Sequence, residues 1–126
     1  MNLFLDDIRV PHDVSYYLKN HKDLKWVIVK SYDEFVKYIT DNGMPRLISF
    51  DHDLSFEHYT VYDDDVKVEF KEKTGYDALK WVCNYTLENG LKLPKMKFHT
   101  ANYVGLKNMI TYLENFIKHN PEIEDE

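Results

Sequence analysis

The sequence predicts a three-layer α/β domain built on a four-stranded parallel sheet with helices on both faces. Four short apolar runs, at residues 2–5, 26–29, 47–50 and 96–98, have the pattern of strands buried on both sides. Helical patterns separate these runs, and such alternation favours right-handed crossovers between parallel strands. Acidic residues follow the first and third runs. We expect the strand order 2-1-3-4, because a switch point beside strand one brings these acidic ends together.

Three helices have start and stop signals that agree with their apolar stripes. Each begins at a side chain able to cap it and ends at or shortly before a glycine or proline. The predicted N-caps are Ser31, Thr74 and Asn102, and the predicted stops are Asn42-Gly43, Asn89-Gly90 and Pro121. A further helix is expected around residues 13–20, where the apolar side chains are adjacent rather than periodic.

One segment interrupts the alternation of strands and helices. Residues 55–73 contain two runs of alternating side chains on either side of the acidic turn Asp63-Asp64-Asp65, which is the pattern of a β-hairpin. We expect this hairpin to be an inserted flap beside the site. The α/β domain is therefore predicted to span residues 1–120, and the polar, acidic residues 121–126 to form a frayed tail.

Size and charge exclude several classes of function. The chain has 126 residues, enough for one domain with one core, and its net charge is −6. That charge argues against an extended nucleic-acid surface or an anionic membrane as partner. Cys83 is the only cysteine, so an intrachain disulfide is impossible and a reducing compartment fits. We find no signal-peptide pattern and no apolar run of about 20 residues, and therefore expect a cytoplasmic protein. The sequence leaves the oligomeric state open.

Carboxylates gather where strands one and three end. Strand one is followed by Asp6, Asp7 and Arg9, and strand three by Asp51, His52 and Asp53. A single aspartate pair after a strand would most simply form a turn or a cap. Two acidic clusters on neighbouring strands repel each other unless a cation or a proton intervenes. The pattern therefore predicts either a site for an Mg²⁺-type cation or a carboxyl group with a raised pKa.

Strand four ends in an imidazole, a hydroxyl and an amide, within the run His99-Thr100-Ala101-Asn102. The next helix starts at the same edge of the sheet, and the free N–H groups of a helix N-terminus favour anions. If each residue is considered separately, the simplest interpretation is structural: Asn102 is the N-cap of the helix, and Thr100 is a residue of the strand. We expect His99 to share this edge with Asp51, and His52 is next to Asp51 in the chain, so both histidines are candidate general acids or bases.

Four blocks of this sequence, in order, carry a family resemblance: residues 3–9, 48–54, 74–77, and 99–102 with Gly105. The run Asp51-His52-Asp53-Leu54 is specific in combination with His99-Thr100-Ala101-Asn102. Together the blocks resemble the cyclic-phosphate processing receiver-like domains over nearly the whole chain. The resemblance implies the response-regulator receiver fold, which is flavodoxin-like, and hydrolysis of a cyclic phosphate in nucleotide or RNA-end metabolism.

The resemblance also implies roles by position. Asp6 and Asp7 correspond to the metal-binding acidic pair of a receiver, Asp51 to its phospho-accepting aspartate, and Thr100 to the hydroxyl residue after strand four. Three features depart from the family pattern. The chain ends after the helix that follows strand four, without a fifth strand to carry the receiver lysine. Thr100 stands where serine is expected, and the segment 55–73 is longer than expected.

These observations lead to a phosphoesterase as the first functional hypothesis. Its substrate would be a cyclic phosphate of a nucleotide, a sugar nucleotide or an RNA end. A divalent cation, Mg²⁺ or Mn²⁺, would be held by Asp6, Asp7 and Asp51 and would activate a water molecule. His52 or His99 would transfer protons, with Asp51 part of the catalytic group. The phosphate-binding residues would be Arg9, Thr100 and Asn102, with Asp53 beside them or orienting a histidine.

Three alternatives remain open at this stage. The two histidines could act as acid and base without a metal. A receiver-like module could bind a phosphorylated ligand or protein partner without catalysis, and the additional histidines argue against that reading. An interaction protein that uses the aromatic side chains of residues 55–73 is supported by composition only.

Overall fold

A computed structural model describes residues 1–14, 25–54 and 73–124. At its centre lies a four-stranded sheet of β1 (Asn2–Leu5), β2 (Trp26–Val29), β3 (Leu47–Phe50) and β4 (Lys95–Phe98). The strand order is β2-β1-β3-β4, and every pairing is parallel. The predicted order and direction of the strands are confirmed. β4 lies at one edge of this sheet, and its two lysine side chains are exposed.

The three helices begin where the sequence predicts. They are α1 (Tyr32–Asn42), α2 (Gly75–Glu88) and α3 (Tyr103–His119). The side chains of Ser31, Thr74 and Asn102 each accept a hydrogen bond from a backbone N–H in the first turn. Such caps satisfy donors that the helix itself cannot pair. Within the described ranges, none of the helices has the length and apolar character that crossing a bilayer requires.

Two predictions fall largely on residues that the structure does not describe. Pro11–Val14 forms a short 3₁₀ helix at the start of the region where a helix is expected around residues 13–20, and the rest of that region lies outside the described residues. The same holds for the hairpin flap predicted at residues 55–73, of which the structure describes residue 73 alone.

One face of the sheet forms the main core. Side chains alternate between faces along a strand, so Leu3 and Leu5 of β1 point the same way as their register partners Ile48 and Phe50 of β3. All four are fully buried. They pack with apolar side chains from all three helices, among them Phe35, Ile39, Leu79, Val82 and Met109. Burying a large apolar side chain stabilises the fold by roughly 1.5–3 kcal/mol. The packing of this face therefore holds the strands in place, and with them the residues that follow each strand.

The opposite face becomes polar towards the carboxyl ends of the strands. Phe4 and Ser49 are register partners on this face and both are fully buried. The Phe4 ring also packs edge-on against Trp26, with ring centroids 5.7 Å apart. Asp6 and Asp51 lie two residues further along the same strands and therefore continue this face. The polar cluster described below therefore lies next to the packed aromatic rings of Phe4 and Trp26 on this face of the sheet.

The end of the described chain is anchored to the core. Pro121–Ile123 forms a 3₁₀ helix, and Ile123 is 2% exposed. The carbonyl of Ile123 accepts a hydrogen bond from the N–H of Leu93 at 2.7 Å. The expectation of a tail that frays from Pro121 onward is therefore wrong for residues 121–123. The Ile123 side chain packs in the core, and this segment also accepts a hydrogen bond from Lys92 Nζ at the Glu122 carbonyl.

Candidate active site

Three polar side chains are positioned by the sheet itself. The parallel ladder continues one residue beyond the strands, because the N–H groups of Asp6, Asp51 and His99 donate to the carbonyls of Val29, Leu5 and Phe50 at 3.1, 2.9 and 2.9 Å. These side chains follow β1, β3 and β4, which are neighbours in the sheet. The predicted convergence of Asp6, Asp51 and His99 at one edge is therefore present in the structure.

Asp6 is surrounded by hydrogen-bond donors. Its Oδ1 accepts from the backbone N–H groups of Ile8 (2.9 Å) and Arg9 (2.8 Å). Its Oδ2 accepts from Arg9 Nε at 3.0 Å and lies 3.1 Å from His99 Nε2. Burial opposes ionisation, but the hydrogen bonds from His99, Ile8 and Arg9 outweigh it and hold the pKa of Asp6 below its ordinary value. Asp6 is thus the ionised carboxylate of the cluster.

The Arg9 guanidinium group bridges the two carboxylates. Its Nε contacts Asp6, and its Nη2 lies 3.4 Å from Asp51 Oδ1 and donates to the carbonyl oxygen of His99 at 3.1 Å. Asp6 and Asp51 are 1% and 2% exposed, whereas the Arg9 side chain is 28% exposed. Arg9 is both the counter-charge of the acidic pair and the part of this cluster that solvent reaches best.

Asp51 has the opposite electrostatic environment from Asp6. Desolvation by burial, followed by the negative charge of Asp6, raises the pKa of Asp51 to about 7. The Arg9 charge and hydrogen bonds from the Thr100 hydroxyl and the His52 backbone N–H act in the other direction. A carboxyl group with this pKa exchanges protons readily at neutral pH. Of the two outcomes that clustered carboxylates predict, the raised pKa is therefore present at Asp51.

His99 lies beneath the carboxylates and is fully buried. Its ring stacks on Phe4 at 4.2 Å between centroids, and its Nδ1 is 2.8 Å from Ser49 Oγ. Because ionised Asp6 can only accept, His99 Nε2 carries the proton of that hydrogen bond, and Nδ1 accepts from the Ser49 hydroxyl. Desolvation by burial lowers the pKa of His99 despite its bond to Asp6. The ring is therefore neutral and held at both nitrogens.

Sequence reasoning missed Ser49. In the apolar run 47–50 a single serine looks like a tolerated small residue in a strand. The available signal was its register: Ser49 is two residues before Asp51, so the two side chains share a face. A hydroxyl buried on the face that leads to a carboxylate needs a partner, and His99 is that partner.

Asp6, Asp51 and His99 lie close enough together to bind a metal ion, because one ligand atom from each falls within a 4.8 Å cluster. Asp7, predicted as a metal ligand, is half-buried in the bend after β1 and is not in this cluster. The atoms that would ligate a metal ion already take part in hydrogen bonds. Asp6 accepts four hydrogen bonds, and His99 Nε2 carries a proton. In this arrangement Arg9 supplies the positive charge between the carboxylates.

The second predicted histidine belongs to a separate group of side chains. His52 Nδ1 lies 2.9 Å from Asp53 Oδ1, and the Asn102 amide donates to the same oxygen at 3.3 Å. Asn102 Oδ1 in turn caps α3 by accepting from the Gly105 N–H at 2.9 Å. Among the described residues, no hydrogen bond or ion pair joins the His52 ring to the Asp6–Arg9–Asp51 cluster. Consecutive residues point to opposite sides, which separates the His52 and Asp51 side chains.

His52 borders a cleft between α2 and α3 of about 890 Å³ that includes Tyr76, Tyr112 and Phe116. Gly105, at the start of α3, lets the helix approach the imidazole closely. A Cβ atom at this position would lie 2.5 Å from His52 Cγ and 2.6 Å from its Cδ2. The predicted site is therefore divided into a buried cluster around Asp51 and a more accessible imidazole beside the cleft.

The Ser49–His99 hydrogen bond offers a direct test of this arrangement. We expect Ser49→Ala to lower the free energy of unfolding by about 1–3 kcal/mol, because it leaves a buried ring nitrogen without its donor. Urea denaturation measures the loss, and the ¹⁵N shifts of the His99 ring report its tautomer. Thr40→Ala, at an exposed position on α1, is the control and should change stability by less than about 0.5 kcal/mol. Equal effects at both positions would contradict a supporting role for Ser49.

One of three comparisons with known proteins found a match. A family model described as "Cyclic-phosphate processing Receiver domain" matches residues 1–115. Searches of curated proteins and of solved structures found no match. The family match covers most of the chain, and the parallel sheet of order β2-β1-β3-β4 with its flanking helices is the receiver-like, flavodoxin-like arrangement. The chain therefore belongs to the cyclic-phosphate processing receiver domains.

Proposed function

We propose that this chain is a phosphoesterase that opens a cyclic phosphate of a nucleotide, a sugar nucleotide or an RNA end. One observation carries the proposal: Asp51, with a pKa of about 7, lies beside the Arg9 guanidinium group. A proton carrier and a phosphate-binding cation thus share one cluster. The family match supports the class of substrate.

The proposed reaction adds water across one ester bond of the ring. Water attacks phosphorus, a P–O bond of the cyclic diester breaks, and the proton that water loses ends on the leaving oxygen. The product is a phosphomonoester with a free hydroxyl group. Asp51 carries the proton, since a group with a pKa near the working pH can both accept and donate it. Arg9 stabilises the charge that develops on the phosphate oxygens.

The remaining residues of the cluster position these two groups. Asp6 holds Arg9 through its side chain and backbone, and His99 holds Asp6. His99 is therefore a positioning residue in this scheme, because its buried ring is engaged at both nitrogens. Thr100 contributes a hydroxyl that hydrogen-bonds Asp51. Its Oγ1 also accepts from the Asn102 N–H at 3.0 Å, which fixes its orientation.

His52 is the imidazole with access to solvent, since its side chain is 17% exposed and that of His99 is 0% exposed. Asp53 Oδ1 lies 2.9 Å from His52 Nδ1, and this hydrogen bond fixes the orientation of the ring. If an imidazole assists the reaction directly, we assign that role to His52. In this arrangement Asn102 and Asp53 support His52.

A divalent cation, Mg²⁺ or Mn²⁺, is the alternative to Arg9 as the positive charge between these carboxylates. Asp6 and Asp51 are the carboxylates that would hold it, and Asp7 lies next to Asp6 in the chain. When bound, such a cation polarises phosphate oxygens as a Lewis acid. The proton transfer assigned to Asp51 does not require it, because Arg9 already lies between the two carboxylates.

A second candidate function is phosphate binding without catalysis. It is favoured by the burial of Asp51, which is 2% exposed, while Arg9 remains accessible. Such a module would bind a phosphorylated ligand or protein partner through Arg9 and leave its ester bonds intact. The family match is equally compatible with a role of this kind.

A substrate screen separates the two functions. The purified chain is incubated with cyclic and linear phosphates of nucleotides and sugars, and with an RNA ending in a cyclic phosphate, with and without Mg²⁺ or Mn²⁺. Release of a phosphomonoester is followed by ³¹P NMR. We expect ring opening of at least one cyclic phosphate, and its loss in Arg9→Gln but not in Arg46→Gln. Binding of these compounds without any turnover would support the non-catalytic module instead.

A further inference from the structure

The acidic cluster already contains a built-in cation. Asp6 and Asp51 are nearly fully buried, and two buried carboxylates repel each other unless positive charge lies between them. The Arg9 guanidinium group contacts both, at 3.0 Å from Asp6 Oδ2 and 3.4 Å from Asp51 Oδ1. A metal ion that bound Asp6 Oδ2 and Asp51 Oδ1 would lie between the two oxygens that Arg9 contacts, at about 2.0–2.1 Å from each in the case of Mg²⁺.

The hydrogen bonds show what such an ion would displace. Asp6 Oδ2 is shared by Arg9 Nε and His99 Nε2, and Asp6 Oδ1 is shared by two backbone N–H groups. Arg9 is further fixed by its bond to the His99 carbonyl. A metal ligand needs a free lone pair directed at the ion. Withdrawal of the Arg9 side chain would release Asp6 Oδ2 and Asp51 Oδ1 from the guanidinium group.

We propose that Arg9 and a divalent cation exclude each other between Asp6 and Asp51, so that Arg9 determines the metal affinity of this chain. Arg9 acts as a tethered counter-ion whose local concentration is set by the fold. A cation binds only as far as it displaces the guanidinium group. The wild-type chain is then stable without metal, and a variant without this charge gains a metal site. This inference concerns metal binding and does not depend on the proposed reaction.

The test is Mn²⁺ binding to Arg9→Gln, measured by electron paramagnetic resonance of the free ion and by the shift in Tm. Gln keeps a polar side chain of similar reach but has no charge. We expect the variant to bind Mn²⁺ at least about tenfold more tightly than the wild type, which corresponds to about 1.4 kcal/mol. Mn²⁺ should raise the Tm of the variant and leave that of the wild type nearly unchanged.

Two further variants locate the effect. Arg46→Gln removes the other arginine of the chain, at an exposed position, and should bind Mn²⁺ like the wild type. Adding Asp51→Asn to Arg9→Gln should abolish the new site. Equal affinity of wild type and Arg9→Gln, whether strong or absent, overturns the proposal. So does a gained site that survives Asp51→Asn.

A folding failure of Arg9→Gln still leaves a decisive measurement. Arg9→Met also removes the positive charge, and its unbranched apolar side chain can pack where the aliphatic part of Arg9 lies. We expect its Mn²⁺ affinity to exceed that of the wild type. Unchanged affinity in Arg9→Met then overturns the proposal.

Discussion

Replacing Asp51 by Asn is expected to lower the rate of cyclic-phosphate opening by about 10²–10⁴-fold, the range typical of a lost general acid or base. The same change is expected to stabilise the fold above pH 7. The asparagine amide would retain the shape of the side chain but could neither carry a proton nor repel Asp6. Activity and stability should therefore move in opposite directions.

The sign of the stability effect follows from the raised pKa. Desolvation and the Asp6 charge raise the pKa of Asp51 from 3.8 to about 7 in the folded state, so the folded chain binds this proton more tightly than the unfolded chain. Between these two pH values the wild type loses stability as the pH rises, and the full cost is present above about pH 7. Below pH 3.8 both states are protonated and the advantage of Asn disappears.

Urea denaturation from pH 4 to pH 9 and initial rates on a confirmed substrate measure both effects. The control is Asp41→Asn, at an exposed position near the end of α1, which should change neither. A variant of Asp51 with full activity would show that another group carries the proton. A wild-type stability that does not fall as the pH rises, relative to Asp51→Asn, would show that this carboxyl group has an ordinary pKa.

The largest loss of stability is expected from Gly75→Ala. An added Cβ would lie 1.6 Å from the backbone oxygen of Asp51 and 2.7 Å from its carbonyl carbon. Backbone atoms cannot yield as a flexible side chain does, and the Gly75 N–H also donates to the His52 carbonyl at 2.8 Å. The start of α2 would have to move away from β3. We expect more than about 4 kcal/mol of destabilisation, in the exceptional range for one substitution.

Gly43→Ala is the matched control for that substitution. A Cβ at Gly43 has no atom within 4 Å, so the cost there comes from the backbone at φ 92° and ψ 176°, a region essentially restricted to glycine, and is roughly 1–3 kcal/mol. Urea midpoints compare the two variants, and ¹H–¹⁵N spectra show whether the Asp51 and His52 amides shift. Similar midpoints for both would mean that the contact between α2 and the end of β3 can relax.

The parts of the fold that could be predicted depend on local patterns. Short apolar runs and capping side chains are read directly from neighbouring residues, and the ends of parallel strands meet at one edge by topology. That is why Asp6, Asp51 and His99 were placed together correctly. Ile123 was missed for the opposite reason. Its side chain packs in the core and its carbonyl accepts from the N–H of Leu93, thirty positions away in the chain. No local pattern reveals these contacts.

Side-chain direction explains what could not be predicted within the site. His52 and His99 were treated as equivalent imidazoles, yet they belong to different groups of side chains. His99 is on the same face as Phe4 and is buried, whereas His52 turns towards α3. The bridging position of Arg9 was also missed, because a long side chain can reach several partners and the sequence does not say which. The face to which each side chain points and the partners that a long side chain contacts decide what these residues do. The residue type alone does not.

The edge position of β4 has a consequence for self-association. Among the described residues β4 has a ladder partner on one side only, and an edge strand of this kind can pair with a strand from another molecule. In β4 the exposed Lys95 and Lys97 are on one face. If two copies joined their β4 edges side by side around a two-fold axis, four ammonium groups would be crowded together on that face. Such pairing is disfavoured by like-charge repulsion, so these lysines protect the chain against growth of a continuous sheet between molecules.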